Sequence, residues 1–211
     1  MPRIQGIYAL CDNSLNPKLD HIRLARQLLE GGVSILQLRM KGEKNLRLVQ
    51  ETARSILELK REFSFTFILN DFAQLAADLP VDGVHLGQED LSIEAARAQL
   101  GAKLLIGYSS HSLEEALEAE QRGADYIAFG AIYPTATKGP GHPVQGVEKL
   151  RQVVQALRVP VVAIGGIGRD NLQKTLETGV AAVAMIGALT LAPDIRQAAR
   201  WFMTEFSRWK R

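Results

Sequence analysis

Carboxylate side chains follow two neighbouring apolar runs of the sequence. Asn70 and Asp71 follow the run 65–69, and Asp90 comes shortly after the run 83–86. The distance between them along the chain is that of one strand-helix unit, so the two carboxylates would come from adjacent strand ends. Such oxygen ligands suit Mg²⁺, which takes one or two carboxylates and completes its shell with water and substrate phosphate. The pattern predicts a metal pair, although both acids could instead cap the helices that follow them.

Basic side chains extend the apolar run 34–38. Gln37, Arg39 and Lys41 occupy alternate positions, so in an extended strand they point the same way. Arginine offers a fork of donors to phosphate oxygens, and lysine supplies a compact positive charge. Together they predict a highly charged substrate. The alternative is a solvated edge at which Lys41 and Lys44 begin an exposed helix.

A loop with two hydroxyl groups and a lysine follows the apolar run 126–129. Thr135, Thr137 and Lys138 precede the segment 139–143, in which glycine and proline alternate with few other residues. This composition predicts an ordered but movable loop of the kind that carries function. Two threonines two positions apart can donate to one oxyanion, and Lys138 can serve a second phosphate. A Schiff-base role for Lys138 is disfavoured, because this lysine lies beyond a strand end.

Glycines end two further apolar runs. Gly165, Gly166 and Gly168 follow the run 160–164, and Gly187 follows Ile186 at the end of the run 182–186. Exposed backbone N–H groups at two such strand ends are typical of a phosphate cup. Tight turns alone are the alternative. His85 has no second histidine or cysteine at metal spacing, so we expect a buried, hydrogen-bonded structural histidine.

The polar residues at the ends of these apolar runs need a fold that brings the strand ends together. Short β-rich runs alternate with helical patterns along the chain, and each strand body is apolar where its end is polar. The pattern predicts an α/β fold, a single (β/α)8 TIM barrel over residues 1–211, in which the carboxyl ends of all strands share one mouth. A doubly wound sheet is the rival, but no G-x-G-x-x-G follows the first strand. The strands are expected at 4–10, 34–38, 65–69, 83–86, 104–106, 126–129, 160–164 and 182–186, and the helices at 19–30, 45–60, 72–77, 93–100, 113–122, 147–157, 171–178 and 194–208.

Particular residues refine this scaffold. Ser92 and Asp170 are expected to cap helices, and Ser112 forms a capping box with Glu115. The aromatic residues of the last helix are expected to pack against the barrel, with an oligomer contact, such as that of a homodimer, left open: Trp201, Phe202, Phe206 and Trp209.

Composition narrows the class of protein. The chain has 211 residues, 46% of them hydrophobic and 23% charged, and a net charge of +2, which predicts one globular domain and argues against nucleic acid as a partner. The single cysteine, Cys11, cannot form an internal disulfide, and no apolar stretch approaches the roughly 20 residues of a membrane helix. We therefore expect a cytoplasmic protein that acts on small molecules.

The predicted groups of site residues indicate more about the function together than any one group does alone. A phosphate cup faces a second cluster, made of Arg39, Lys41, Lys138 and two acids, that suits a metal-bound diphosphate. Two phosphorylated substrates meeting across one barrel mouth indicate displacement of pyrophosphate.

From residue 7 to residue 189, the chain resembles the thiamine phosphate synthase family. The resemblance lies in several motifs in the family's order: Gln37-Leu38-Arg39-Met40-Lys41, Asn70-Asp71, Gly83-Val84-His85-Leu86-Gly87-Gln88-Glu89-Asp90, Gly107-Tyr108-Ser109, Pro134-Thr135-Ala136-Thr137-Lys138 and Ala163-Ile164-Gly165-Gly166-Ile167.

The resemblance implies that 4-amino-2-methyl-5-(diphosphooxymethyl)pyrimidine, here called hydroxymethylpyrimidine diphosphate, transfers its pyrimidine unit to the ring nitrogen of a thiazole phosphate. The products are thiamine phosphate and pyrophosphate. It implies that Asp71 and Asp90 hold Mg²⁺, and that Arg39, Lys41, Ser109 and Lys138 are catalytic. In this interpretation no side chain is a nucleophile. It further implies that the pyrimidine diphosphate is held by Gln37, Arg39, Lys41, Asn70, Ser109 and Lys138, and that the thiazole phosphate site is lined by Thr135, Thr137, Gly166, Ile186 and Gly187. Substrate-binding positions also include Leu38, Met40 and Ala136.

One departure and two alternatives remain at this point. The family commonly has serine where Gly187 stands, so one hydroxyl contact to phosphate is missing here. The related thiazole tautomerase shares the barrel and phosphate cup, but it typically carries a catalytic histidine where this chain has Ala131 and often lacks an acid at Asp90. A non-catalytic barrel that binds phosphorylated metabolites would need no acid pair.

Overall fold

Eight parallel strands close into a barrel in the order in which they occur along the chain, with the last strand paired to the first. The computed structural model describes residues 4–135 and 143–209. The predicted TIM barrel is confirmed, and a doubly wound open sheet is excluded because the sheet has no edge. The strands are β1 (Gly6–Cys11), β2 (Ile35–Leu38), β3 (Thr66–Asn70), β4 (Gly83–Leu86), β5 (Leu105–Ser110), β6 (Tyr126–Gly130), β7 (Val161–Ile164) and β8 (Ala182–Met185).

Helices follow the strands around the outside of the barrel. In the described residues they are α1 (His21–Glu30), α2 (Leu46–Glu58), α3 (Ala73–Ala76), α4 (Ile93–Leu100), α5 (Leu113–Gln121), α6 (Gly146–Ala156), α7 (Leu172–Leu176), α8 (Gly187–Thr190) and α9 (Ile195–Trp209). The short α8 was not among the expected helices.

Helix caps explain where several helices begin. Ser92 and Ser112 accept hydrogen bonds from the backbone N–H groups three residues later, as predicted. The carboxylate of Glu115 accepts from the N–H of His111, one residue before the cap. The prediction for Asp170 was wrong: Asn171 occupies the cap position of α7, and its side-chain oxygen accepts from the N–H of Gly168.

Alternation along the strands creates two apolar layers. On β1, Ile7 and Ala9 pack outward beneath the helices, while Tyr8 and Leu10 fill the barrel interior. The same period of two places the polar residues at the upper ends of β2 to β5 inside the mouth. The fold thus collects the polar tips that the sequence places on separate strands.

The last helix closes the outer layer against β1 and α1. Phe202 and Phe206 are buried there as predicted, whereas Trp209 is 42% exposed. The ring of Trp201 lies beneath the guanidinium group of Arg169, 4.8 Å from it. None of the helices within 4–135 and 143–209 has the length and apolar character that a bilayer crossing requires.

Candidate active site

A cavity with two lobes opens at the carboxyl end of the barrel. The first lobe has a volume of about 440 Å³ and the second about 280 Å³. Leu10, Arg39, Ile164 and Ala184 line both lobes, so the two spaces are neighbours across a shared wall. Such a cavity can hold two small molecules side by side.

Asp71 and Asp90 come together on one side of the first lobe. Their side chains are in hydrogen-bonding contact, and burial together with the charge of Asp90 raises the pKa of Asp71 to about 6. Asp71 has a positive φ of 64°, which is rare for a residue other than glycine, while its N–H donates to the carbonyl of His85 at 3.0 Å. Oδ2 of Asp90 accepts from the N–H of Gly87 at 2.7 Å.

Capping does not account for this acid pair. Helix α3 begins after Phe72 without a side-chain cap, and helix α4 is capped by Ser92. Two carboxylates held against each other repel unless a proton or a cation lies between them. Within the described residues no group of three or more His, Cys, Asp or Glu side chains gathers at metal-binding distance. The two adjacent carboxylates by themselves suit a hard cation that takes its remaining oxygen ligands from substrate and water.

The repulsion should be measurable in the metal-free protein. The raised pKa of Asp71 means that the folded state binds this proton more tightly than the unfolded state, so stability from this group falls as pH rises from about 4 to about 6. We expect Asp71→Asn to raise the melting temperature at pH 7.5 by a few degrees, since about 1 kcal/mol remains after solvent screening. The difference should disappear near pH 4. If the carboxylates did not repel, thermal melts in chelator would show no gain for Asp71→Asn over the matched control Asp78→Asn, which lies at an exposed position.

Arg39 forms an ion pair with Asp12, which follows β1. Burial would raise the pKa of Asp12, but hydrogen bonds from Ser14 and Arg39 outweigh it and keep the pKa below its ordinary value. The N–H of Arg39 also donates to the carbonyl of Cys11 at 3.1 Å, which extends the pairing of β1 with β2. Asp12 was missed from the sequence, because nothing in its neighbours signals a partner 27 residues away.

Along the run from Gln37 to Lys41, the side chains alternate between the cavity and the outer apolar layer. Gln37 and Lys41 line the first lobe together with Arg39, as their spacing predicted. Leu38 is fully buried in the outer apolar layer, and Met40 packs against that layer. The side chains of Leu38 and Met40 thus point away from the cavity, so a role for these two in substrate binding would have to use their backbone.

The floor of the first lobe is polar and buried. Asn70 is 6% exposed and His85 is 7% exposed, and both line the lobe with Ser109. His85 is hydrogen-bonded through both ring nitrogens, to Tyr126 and to Ser109. The expectation of a buried, hydrogen-bonded histidine is confirmed, and its ring also forms part of the cavity wall. Tyr8 and His111 line the lobe as well and were not identified from the sequence.

The second lobe is built mainly from backbone and small side chains. Thr135, Gly166, Ile186 and Gly187 all line it. Gly166 has a φ of +67°, and a Cβ atom there would lie 2.4 Å from the carbonyl oxygen of Pro134, so only glycine fits. Helix α8 begins at Gly187, and the first N–H groups of a helix have no partners within it. Ala136, Thr137 and Lys138 lie outside the described residues, and their roles stay predictions.

Comparison with known proteins identifies the family. Residues 7–189 match the sequence model of the family described as Thiamine monophosphate synthase. The chain belongs to this family. A thiamine-phosphate synthase from Nitrosococcus oceani is 42% identical over 207 residues, which cover 98% of this chain and 94% of the relative. Another from Pyrococcus furiosus is 41% identical over 192 residues, 91% of this chain and 90% of the relative.

The solved structures agree with the sequence comparison. Thiamine phosphate pyrophosphorylase from Pyrococcus furiosus superimposes with a TM-score of 0.88 at 37% identity, covering 98% of both chains. The family predicted from the motifs is thus confirmed over the whole region that contains both cavity lobes.

Proposed function

We propose that this chain is a thiamine-phosphate synthase, a transferase that joins a hydroxymethylpyrimidine diphosphate to a thiazole phosphate and releases pyrophosphate. The observation that carries the proposal is the pair of contiguous lobes that share Arg39. One lobe offers cations and an acid pair to a diphosphate, and the other offers backbone to a phosphate monoester. The names of relatives about 40% identical over nearly the whole chain support the same activity.

The first lobe would take the pyrimidine diphosphate. Arg39 and Lys41 supply positive charge at its wall, and Gln37, Asn70 and Ser109 supply neutral polar groups at its floor. A diphosphate gains most from the charged groups, while the uncharged ring gains from the buried floor. Lys138 would add a further cation and stays a prediction from the sequence.

Asp71 and Asp90 would hold Mg²⁺ beside the same diphosphate. The ion would neutralise charge on the diphosphate as it departs. The two carboxylates would bind the ion directly, which removes their mutual repulsion in the folded protein.

The second lobe would take the thiazole phosphate. Its phosphate would lie against Gly166, Ile186 and Gly187, with the hydroxyl of Thr135 at the lobe wall. Backbone N–H groups at a helix start are favourable partners for phosphate oxygens. The apolar side chains of Leu10, Ile164 and Ile186 would contact the ring and keep water from it.

The reaction needs positioning and charge stabilisation rather than a protein nucleophile. The bond between the pyrimidine methylene carbon and the diphosphate oxygen breaks, and its electron pair leaves with the diphosphate. The lone pair of the thiazole nitrogen then forms the new carbon–nitrogen bond, which leaves the positive charge on the thiazolium ring. Arg39 and Lys41 stabilise the departing charge, and the shared wall holds the nitrogen near the carbocation.

Pyrophosphate release tests the proposal directly. The purified protein is mixed with hydroxymethylpyrimidine diphosphate, thiazole phosphate and Mg²⁺, and each component is omitted in turn. Release that requires all three and is matched by thiamine phosphate is expected. Folded protein that binds thiazole phosphate but releases no pyrophosphate would contradict it.

A thiazole tautomerase is disfavoured by the second lobe. Ala131, which stands where that relative typically carries a catalytic histidine, is 4% exposed and lines the lobe. Its methyl group cannot transfer a proton. Conversion of one thiazole isomer into another without release of pyrophosphate would revive this alternative.

A homodimer stays a prediction, which a measurement of the molecular mass in solution would test.

Gly187 has no side chain, so a substitution that adds a hydroxyl group there should strengthen binding of the thiazole phosphate. A Cβ atom there would lie 3.6 Å from Leu15 and 3.8 Å from Leu191, which are ordinary contacts. Gly187→Ser should therefore fit, add a hydroxyl donor to the phosphate, and lower KM for thiazole phosphate by about fivefold. Gly187→Ala is the matched control and should leave KM unchanged. Equal shifts in both variants would show that the hydroxyl is not responsible.

A further inference from the structure

A continuous chain of hydrogen bonds runs through the barrel interior beneath the first lobe. Nε2 of Gln37 donates to the hydroxyl of Tyr8 at 2.9 Å, and the hydroxyls of Tyr8 and Tyr126 are 2.8 Å apart. The hydroxyl of Tyr126 lies 3.1 Å from Nδ1 of His85, and Nε2 of His85 lies 2.9 Å from Oγ of Ser109. Five strands contribute one residue each. We call these five side chains the relay.

The hydrogen-bond geometry allows either hydroxyl of the Tyr8–Tyr126 pair to donate. Gln37 donates to the Tyr8 oxygen, so the direction that uses every proton within the relay sends the Tyr8 proton to Tyr126 and the Tyr126 proton to Nδ1 of His85. The His85 proton then sits on Nε2 and is donated to Ser109. The hydroxyl proton of Ser109 remains for the cavity, and the side-chain oxygen Oε1 of Gln37 remains for it at the other end.

The interior of the barrel is shaped to keep this arrangement. Tyr8 is 2% exposed and Tyr126 is fully buried. Burial raises the pKa of both phenols above the ordinary value, so each retains its one proton at neutral pH. A Cβ atom on Gly107 would lie 2.0 Å from the Tyr126 ring. The space that a side chain would occupy on β5 is thus filled by Tyr126 instead.

Both ends of the relay reach the cavity. Gln37 and Ser109 line the first lobe from strands that are three apart around the barrel, since one is on β2 and the other on β5. With the direction above, the lobe presents an acceptor at Gln37 and a donor at Ser109. An aminopyrimidine presents the complementary pair, an amine that donates and, across the ring, a nitrogen that accepts.

We propose that the relay couples Gln37 to Ser109, so that the first lobe selects an amino-substituted pyrimidine over its oxo-substituted analogue, with Tyr8 and Tyr126 as positioning residues. This inference rests on the proposed function for the identity of the substrate. In its 3H lactam form the oxo analogue presents acceptors at both edges of the ring, the oxo oxygen at one edge and N1 at the other. When Ser109 is the donor, the relay makes Gln37 an acceptor, and this acceptor faces the oxo group, which is an acceptor too. When the relay is reversed, Gln37 can donate to the oxo group, but Ser109 has no proton left to donate. Neither direction satisfies both edges.

The direction of the relay can be measured without substrate. Nitrogen-15 NMR of the histidine side chains reports which ring nitrogen carries the proton, and a His85→Gln variant assigns the signal. The intact protein should show His85 protonated on Nε2, and Tyr126→Phe should weaken that preference because Nδ1 loses its donor. Protonation of His85 on Nδ1 in the intact protein would overturn the proposal.

Discrimination between substrates tests the coupling. The intact protein should favour the aminopyrimidine diphosphate over its 4-oxo analogue by more than about tenfold in kcat/KM, as expected for a site that hydrogen-bonds both edges. Tyr8→Phe and Tyr126→Phe break the relay at different links. Each should lower that ratio about fivefold, the worth of one neutral hydrogen bond, with KM for thiazole phosphate unchanged.

Controls separate a positioning role from loss of packing. Tyr108→Phe removes a hydroxyl from the same strand as Ser109, but its ring packs outward, and the ratio should not change. The double variant Tyr8→Phe/Tyr126→Phe should show no more loss than either single variant, since one break suffices. Unchanged discrimination in both single variants would overturn the coupling. If the intact protein made no thiamine phosphate, the proposed function would fail, while the His85 signal would still decide the direction of the relay.

Discussion

Replacing Asp90 by asparagine is expected to lower the rate of pyrophosphate release by on the order of a hundredfold, the effect of losing one strong electrostatic contact to the departing charge. The variant keeps a side-chain oxygen that can still accept from the N–H of Gly87, so the turn should survive. It loses the charge that, with Asp71, suits a divalent cation. Initial rates measured over a range of Mg²⁺ concentrations should show a much higher requirement for the ion.

Two controls make this result specific. Asp78→Asn changes the same chemical group at an exposed position on the barrel surface and should behave as the unaltered protein. Circular dichroism and thermal melts should show that Asp90→Asn remains folded. A variant that keeps full activity at low Mg²⁺ would refute the assignment of Asp90 to the metal.

Local rules predicted much of the site. The period of two in a strand placed Gln37, Arg39 and Lys41 on one face, and the succession of parallel strands placed Asp71 beside Asp90. Both rules need only neighbouring residues and the order of the strands. They also predict that Leu38 and Met40 point the other way, as they do, although the family motif includes them in one continuous run.

Contacts between residues far apart in the chain could not be predicted from the sequence, because they depend on the register of the closed barrel. Tyr8 and Tyr126 are 118 residues apart in the chain, yet their hydroxyls meet inside the barrel. Each tyrosine alone looks like an ordinary strand residue, and only the closed barrel brings the two rings to the same height. The pairing of Arg39 with Asp12 has the same origin, since it depends on where β1 and β2 end relative to each other.

Strand ends were the least predictable local feature. The sequence pattern ended the fifth strand at Ile106, whereas β5 continues to Ser110. Gly107, Ser109 and Ser110 lack the apolar character that marks a strand body, and Ser109 lines the first lobe. The polar residues that give a strand end its function are therefore the same residues that keep a hydrophobic pattern from detecting that end.

Arg39→Gln is expected to lower kcat/KM by on the order of a hundredfold for both substrates, because the loss of a charged fork removes contacts at the wall that the lobes share. A residue confined to one lobe would raise KM for one substrate only. Arg23→Gln is the matched control, since the Arg23 side chain is 75% exposed and pairs with Asp20 at the surface. Steady-state kinetics with each substrate varied in turn would check the prediction.

The partner of Arg39 makes the cause of the loss testable. Arg39→Gln also leaves the Asp12 carboxylate, whose side chain is 5% exposed, without its cation, and a buried charge without a partner destabilises a fold. Asp12→Asn in the same chain removes that charge and should restore the melting temperature. If Arg39 acts on the substrates, activity stays low in the double variant. Recovery of activity together with stability would mean that Arg39 serves the fold and that another cation binds the diphosphate.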